Sequence, residues 1–371
     1  MKNGKIFPSS FPILLAFGLL GALFIFSHSY PINENKGPGT EDFLTICNKQ
    51  RGAHVWGIVD TTDFQPLIDN NLEWITLVSW GYQDDIDSPI VTHHDGDSIR
   101  IMDYDAHWVR KIKSVRAAGF KVFFKPHVWL LSPSEGKWRS DIFPANELGW
   151  QTWQESYRNF ILRYAKVAER AKVEMFCVGM EFWRLSVEKP EFWIKLIEDV
   201  REVYSGKITY AANWYHEYEE IKFWDQLDFI GVQAYFPLAN TTNPSLREIS
   251  KGWSKHVRTL ESLSKKWDRK ILFTEMGYKS TTNSAITPWE WSQNLSDSDR
   301  QYSPETQAKC YQAFFNKVWG KDWFDGVHIW VMRIDIAENY HKDNIDFTPL
   351  GKPAEVIISK GFERQKSSTG S

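Results

Sequence analysis

Two near-continuous apolar runs in this 371-residue chain each deliver a glutamate: Val173–Phe182 (VEMFCVGMEF) carries Glu181, and Lys270–Ser280 (KILFTEMGYKS) carries Glu275. A carboxylate at the end of a buried strand is costly unless it has a partner or a task. Two of them point to a shared task. Chemistry that needs a pair of carboxyls across a cleft uses one to protonate a leaving oxygen and the other to attack or to activate water. The competing reading makes Glu181 and Glu275 structural ion-pair partners of Lys125 or Arg184. Their common position at strand ends favours the chemical reading.

Both glutamates need a scaffold that brings distant strand ends together. From about residue 44, β-type apolar runs alternate with amphipathic helical patterns at 106–118, 150–171, 190–205, 244–267 and 304–319. The strands read as His54–Asp60, Trp74–Tyr82, Lys121–Leu130, Val173–Phe182, Lys207–Trp214, Phe229–Leu238, Lys270–Tyr278 and Val327–Asp335. Eight such strands predict an α/β fold, a single (β/α)₈ TIM barrel, whose strands are apolar on both faces because both are covered. The Glu181–Glu275 spacing fits three βα units of roughly 30 residues, the size that closes eight units in roughly 250. Glu181 then ends strand four and Glu275 strand seven, at the barrel face where sites form. Segment 61–73 is too short for a full crossover helix. The loops at 83–105 and 280–302 are expected to wall the cleft, and these two with 131–149 to decide which substrate is taken.

The surroundings suit a sugar. Of 19 tryptophans, Trp56, Trp80, Trp129, Trp183, Trp214 and Trp330 fall at or just beyond strand ends, where ring faces can stack on pyranose C–H faces. Trp330 reads as a platform, whereas Trp56 and Trp74 read as core. His127, Asn213 and Tyr235 are placed to bond hydroxyls, with His127 equally compatible with a satisfied strand-end histidine. Lys125 is expected to hold Glu181 or a sugar hydroxyl. His93, His94, Asp95 and Asp97 loosely resemble a metal cluster, but loop polarity explains them. No metal or cofactor is called for. Cys47, Cys177 and Cys310 show neither CxxC nor zinc spacing, and Cys177 reads as a core thiol. A net charge of -3 with a pI near 6.4, and basic residues scattered along the chain, excludes nucleic acid as a partner.

At the N-terminus, Lys2 and Lys5 precede an apolar stretch from Phe11 to Phe26 and a small-x-small pattern at Ser27–Ser29. Residues 1–29 are therefore expected to direct export to the periplasm or beyond, as a cleaved signal or as an anchor through 11–26. Residues 30–43 read as a linker, 44–363 as the barrel, and 364–371 as a disordered tail. A monomer is expected.

The segments VGMEFW (178–183), ANWY (212–215), DFIGVQAYFPL (228–238), FTEMGY (273–278), HIWVMR (328–333) and DFTPLGKPA (346–354) resemble clan A retaining glycoside hydrolases. Among these the chain is most similar to family 113, the TIM-barrel β-mannanases. That resemblance implies Glu181 as acid/base, Glu275 as nucleophile, Tyr235 as the nucleophile's hydrogen-bond partner, Trp330 as the sugar platform, and Asn213 and Trp214 as subsite residues. It implies hydrolysis of a β-linked polysaccharide, endo-β-1,4-mannan first. Many clan members place Asn immediately before the acid/base; this chain has Met180. A transglycosylase on the same residues and a non-catalytic polysaccharide-binding barrel are the alternatives.

Overall fold

Strands that read as unbroken apolar runs need cover on both faces, and the computed structural model supplies it. Eight parallel strands close into a barrel with helices outside. The structure describes residues 49–93, 98–335 and 344–363. The expected export segment, linker and tail, and His94, Asp95 and Asp97, lie outside them. Among the described residues, no helix is long and apolar enough to cross a membrane, and no cluster of His, Cys, Asp and Glu could hold a metal ion.

In chain order the strands are β1 (Gln50–Trp56), β2 (Trp74–Leu77), β3 (Trp80–Gln83), β4 (Lys121–Phe124), β5 (His127–Leu130), β6 (Met175–Met180), β7 (Lys207–Asn213), β8 (Phe229–Gln233), β9 (Ile271–Met276) and β10 (Phe324–Arg333). Around the barrel they run β1-β10-β9-β8-β7-β6-β4-β2. The helices are α1 (Gln65–Asp69), α2 (Ser98–Ala117), α3 (Glu147–Ala171), α4 (Trp183–Glu188), α5 (Pro190–Val203), α6 (Glu217–Glu220), α7 (Leu246–Trp267), α8 (Pro304–Phe314) and α9 (Pro353–Phe362).

Three sequence expectations are corrected. β1 begins at Gln50 rather than His54, because Gln50 and Arg51 are buried against β10 in spite of their polarity. Arg51 is compensated there by an ion pair with Glu73 at 2.6 Å and a hydrogen bond to the Phe362 carbonyl at 2.8 Å. The runs Trp74–Tyr82 and Lys121–Leu130 are each two strands. Pro126 has no N–H to continue the ladder, and beyond it β3 and β5 pair with each other as a small sheet past the ends of β2 and β4, with a bridge from Tyr82 of β3 to Thr92. Finally, α2 starts at Ser98, so part of the expected loop 83–105 is helix.

The short first crossover leaves α1 at five residues, too little to cover β1 and β2. The other end of the chain fills the gap. Helix α9 packs on α8 and is tied to the α1 region by Asn70 to Glu355 at 2.8 Å, Asn71 to the Ser359 carbonyl at 3.1 Å, and Ser359 to the Asp69 carbonyl at 3.1 Å.

Inside the barrel, Trp74, Phe123, Met175, Cys177, Ala211 and Leu272 form an apolar plug, which places Trp74 and Cys177 in the core as expected. His328 is satisfied within the barrel, with Nδ1 2.7 Å from Thr76 Oγ1 and Nε2 3.1 Å from Gln50 Oε1. Strands β7 and β8 approach so closely at Gly231 that a Cβ there would lie 2.1 Å from the Tyr210 carbonyl oxygen. Backbone cannot yield as a flexible side chain can. Gly231→Ala is therefore expected to cost about 1–3 kcal/mol of stability, as overpacking does, read as a lower urea midpoint at unchanged slope.

Candidate active site

Glu275 sits on β9, buried on every side, and its charge is met from across the barrel. Lys125, just past β4 and fully buried, donates from Nζ to Glu275 Oε1 at 2.5 Å and to Gln233 Oε1 at 2.6 Å. The Tyr235 hydroxyl donates to Glu275 Oε2 at 2.8 Å. Burial and the neighbouring Glu275 charge hold the Tyr235 phenol well above its ordinary pKa, so it remains a donor. His54 completes the group, with Nε2 3.9 Å from Glu275 Oε1 and 3.0 Å from the Thr274 carbonyl. Burial, reinforced by the Lys125 charge, pushes His54 well below the usual histidine range and keeps it neutral. The expectation that Lys125 serves Glu181 or a hydroxyl is thus corrected: β4 faces β9 across the ring, and the lysine reaches Glu275.

Glu181 is held differently. It is the first residue beyond β6 and has φ +55°, a left-handed conformation that costs a non-glycine residue about 1 kcal/mol or more and persists only where the surroundings fix it. Its N–H donates to the Ala211 carbonyl on β7 at 3.0 Å. Its carboxylate Oε2 lies 3.3 Å from Trp138 Nε1 and 3.2 Å from Arg139 Nε, the latter a charge contact without hydrogen-bond alignment. Among the described residues no hydrogen bond reaches Oε1. Arg184 pairs with Glu188 instead, so it is no partner of Glu181.

Trp138 and Arg139 come from the loop between β5 and α3. The Arg139 guanidinium lies 4.4 Å from the Trp138 ring centroid, and Nη1 donates to the Val128 carbonyl at 3.3 Å. Nothing in the local sequence distinguishes Arg139 from other loop arginines. Its position beside a carboxylate exists only in three dimensions.

Both glutamates line one cleft of about 1160 Å³. Trp330, 5 % exposed, lies in it with Trp56 and Trp291 edge-on at 5.4 and 5.9 Å. Trp56 is therefore a cleft residue, correcting its expected place in the core, and Trp291 comes from the 280–302 loop. One wall is an edge-to-face chain of Trp80, Trp129 and Trp138 at 5.7 and 5.6 Å, built on β3, β5 and the following loop. His127 packs beneath Trp80 at 5.0 Å, and neither of its ring nitrogens has a hydrogen-bond partner among the described residues. Burial, with the Lys125 and Arg139 charges, holds His127 well below its ordinary pKa. Elsewhere in the cleft lining, Trp214 stacks on Trp289 at 4.9 Å beside Asn213. Met180 lines the cleft where many clan members have Asn. Trp183 does not line it; its ring stacks on His216 at 5.7 Å. Of the residues singled out by sequence, Glu181, Glu275, Tyr235, Trp330, Asn213, Trp214, His127, Trp80 and Trp129 converge here, with Lys125 beneath.

A third buried carboxyl stands behind Glu181. Glu217, in α6, accepts hydrogen bonds from Ser186 at 2.7 Å, Tyr210 at 2.5 Å and the Asn213 N–H at 2.7 Å. Burial pushes its pKa up to about 7. No apolar periodicity marks it, since it falls in the short EYEE turn.

Residues 51–352 match Glycoside Hydrolase Family 113. Among solved structures, a family 113 β-1,4-mannanase determined as a complex is 27% identical over 85% of this chain and 98% of its own, with a TM-score of 0.72. The family 113 β-mannanase AaManA from Alicyclobacillus acidocaldarius, in complex with ManMIm, is 25% identical over 86% of this chain and 98% of its own, with a TM-score of 0.70. A β-glucuronidase from Ruminococcus gnavus, 13% identical at a TM-score of 0.54, shares the fold alone. No curated protein sequence matches the chain.

Two outcomes are expected from the site's electrostatics. Lys125→Met strands Glu275 without its cation and is expected to lower stability by about 3–5 kcal/mol in chemical denaturation, with most of the loss recovered when Glu275→Leu is added. Glu217 binds its proton more tightly in the folded chain, at about 7, than its ordinary value of 4.5. Its contribution to stability is therefore full below pH 4.5 and fades as pH rises through 7. Glu217→Gln is expected to remove that slope from the pH dependence of the urea midpoint.

Proposed function

The chain belongs to glycoside hydrolase family 113 and is a glycoside hydrolase, and from that premise we propose that it cleaves β-1,4-linked mannan internally, by double displacement. The observation that carries this reading is the pair of glutamates lining one aromatic cleft with different partners. Glu275 faces a buried cation and a phenol donor, which hold both its oxygens in a fixed plane. A carboxylate has about four lone-pair sites, so these two bonds leave about two free, one of which can attack an anomeric carbon. Among the described residues Glu181 is engaged only through Oε2, leaving Oε1 to carry the proton to the departing oxygen.

In the first step Glu275 forms the bond to the sugar while the glycosidic oxygen leaves with the Glu181 proton. In the second, Glu181 takes a proton from water, which attacks the same carbon and releases Glu275. Trp330 supplies the apolar face beneath the reacting sugar. The Trp80–Trp129–Trp138 wall and the Trp214–Trp289 pair give an extended chain further rings to lie against, which supports internal cleavage. Mannan is the substrate of choice because the named relatives are β-mannanases. Export by residues 1–29 would bring the enzyme to such polymers outside the cell.

The test is sugar release from β-mannan, glucomannan, cellulose, xylan and β-1,3-glucan by wild type, Glu275→Ala and Glu181→Ala. Release is expected from the two mannans, with each variant losing at least about a hundredfold in rate. Cleavage of a different polymer replaces the substrate, and a variant of undiminished rate removes the role given to that residue. The stacked Trp214–Trp289 pair also favours a second reading, transfer to a sugar acceptor, which products longer than the substrate would reveal when mannobiose is added.

A further inference from the structure

We infer that Glu217 is a positioning residue for Glu181, acting through Tyr210 and the main chain without touching substrate. The inference rests on the acid/base reading of Glu181. The left-handed backbone at Glu181 (φ +55°) must be fixed from outside, because the conformation is unfavourable for a residue with a Cβ. On its N-terminal side the Ala211 carbonyl takes the Glu181 N–H. On its C-terminal side the Phe182 N–H donates to the Tyr210 hydroxyl oxygen at 2.8 Å.

Tyr210 can accept that bond in a fixed orientation because its own proton is donated to Glu217 Oε1. The same oxygen takes the hydroxyl of Ser186, in the helix that follows Glu181, and Oε2 takes the Asn213 N–H at the end of β7. One buried carboxyl thus ties together the peptide after Glu181, the next helix and the neighbouring strand. Gly179 on β6 shows how closely the relay packs, since a Cβ there would lie 2.8 Å from the Tyr210 ring. Glu217 is 0 % exposed and does not line the cleft, so direct contact with sugar is excluded. Glu275 stands on a separate network of Lys125, Gln233 and Tyr235. Loosening Glu217 should therefore impair proton donation and spare nucleophilic attack.

General acid catalysis needs the donor within about 2.6–3.2 Å of the leaving oxygen, and a leaving group that departs unaided does not need it. The test measures kcat/KM, which reports bond cleavage, for aryl β-mannobiosides with a poor leaving group (4-methoxyphenyl) and a good one (2,4-dinitrophenyl). Glu217→Gln and Tyr210→Phe are compared with wild type and Glu181→Ala. Expected in both is a loss of about tenfold or more on the poor leaving group, with the dinitrophenyl substrate within about twofold, which also shows the fold intact. Equal losses on both substrates, or none on either, overturn the role of Glu217. If Glu217→Gln does not fold, Tyr210→Phe decides by the same ratio. If Glu181→Ala itself shows no dependence on the leaving group, the acid/base reading falls and the inference with it.

Discussion

The ion pair between Lys125 and Glu275 joins opposite sides of the barrel, and the rest of the site is arranged around it. Neither charge is stable alone in a dry interior, since removing an ion from water costs several kcal/mol. The ring must close at a diameter that lets Nζ reach the carboxylate, so the pairing from β4 through β6, β7 and β8 to β9 serves the pair as much as the core. Gln233, Tyr235 and His54 then gather around it as a polar cluster. Trp74, Phe123, Met175 and Leu272 form a separate dry layer in the barrel interior.

The two glutamates draw on different parts of the molecule. Glu275 is served by strand residues and by Tyr235 just beyond β8, whereas Glu181 takes its carboxylate contacts from a loop, through Trp138 and Arg139, and its backbone contacts from β7. A barrel keeps its shared chemistry on rigid strand ends and varies the loops above them. Here the loops reach one of the two carboxyls directly, so a change at Trp138 or Arg139 alters the environment of Glu181 along with the shape of the wall.

The strands were legible in sequence because burial on both faces makes them unbroken apolar runs, and Glu181 and Glu275 stood out against that background. Tyr235 and Trp330 followed from their places at strand ends. The sequence leaves Lys125 between Glu181, a sugar hydroxyl and, as a structural ion pair, Glu275, although barrel geometry contains the answer. Inward side chains of alternate strands share a layer, and His54, Lys125 and Glu275 come from the first, third and seventh staves, while Glu181 ends the fourth. Trp291, Trp289, Trp138 and Arg139 were not singled out because irregular loops carry no periodicity to show which side chains turn inward. Trp56 reads as core because β1 starts four residues earlier than its apolar run suggests, and Glu217 escapes notice because a carboxyl in a short polar turn has no outward sign of burial.

Helix α9 covers the face that the five-residue α1 leaves bare, and β10 is the strand that closes the ring onto β1. β1 pairs on one edge with β2, the next strand in the chain, but its other edge and its cover come from the far end of the barrel, from β10 and α9. During synthesis β1 waits, with its β10 edge unpaired, until nearly the whole catalytic unit has emerged, and the cleft cannot exist before then. Closing the ring is therefore a long-range event, made between the first and last strands of the barrel.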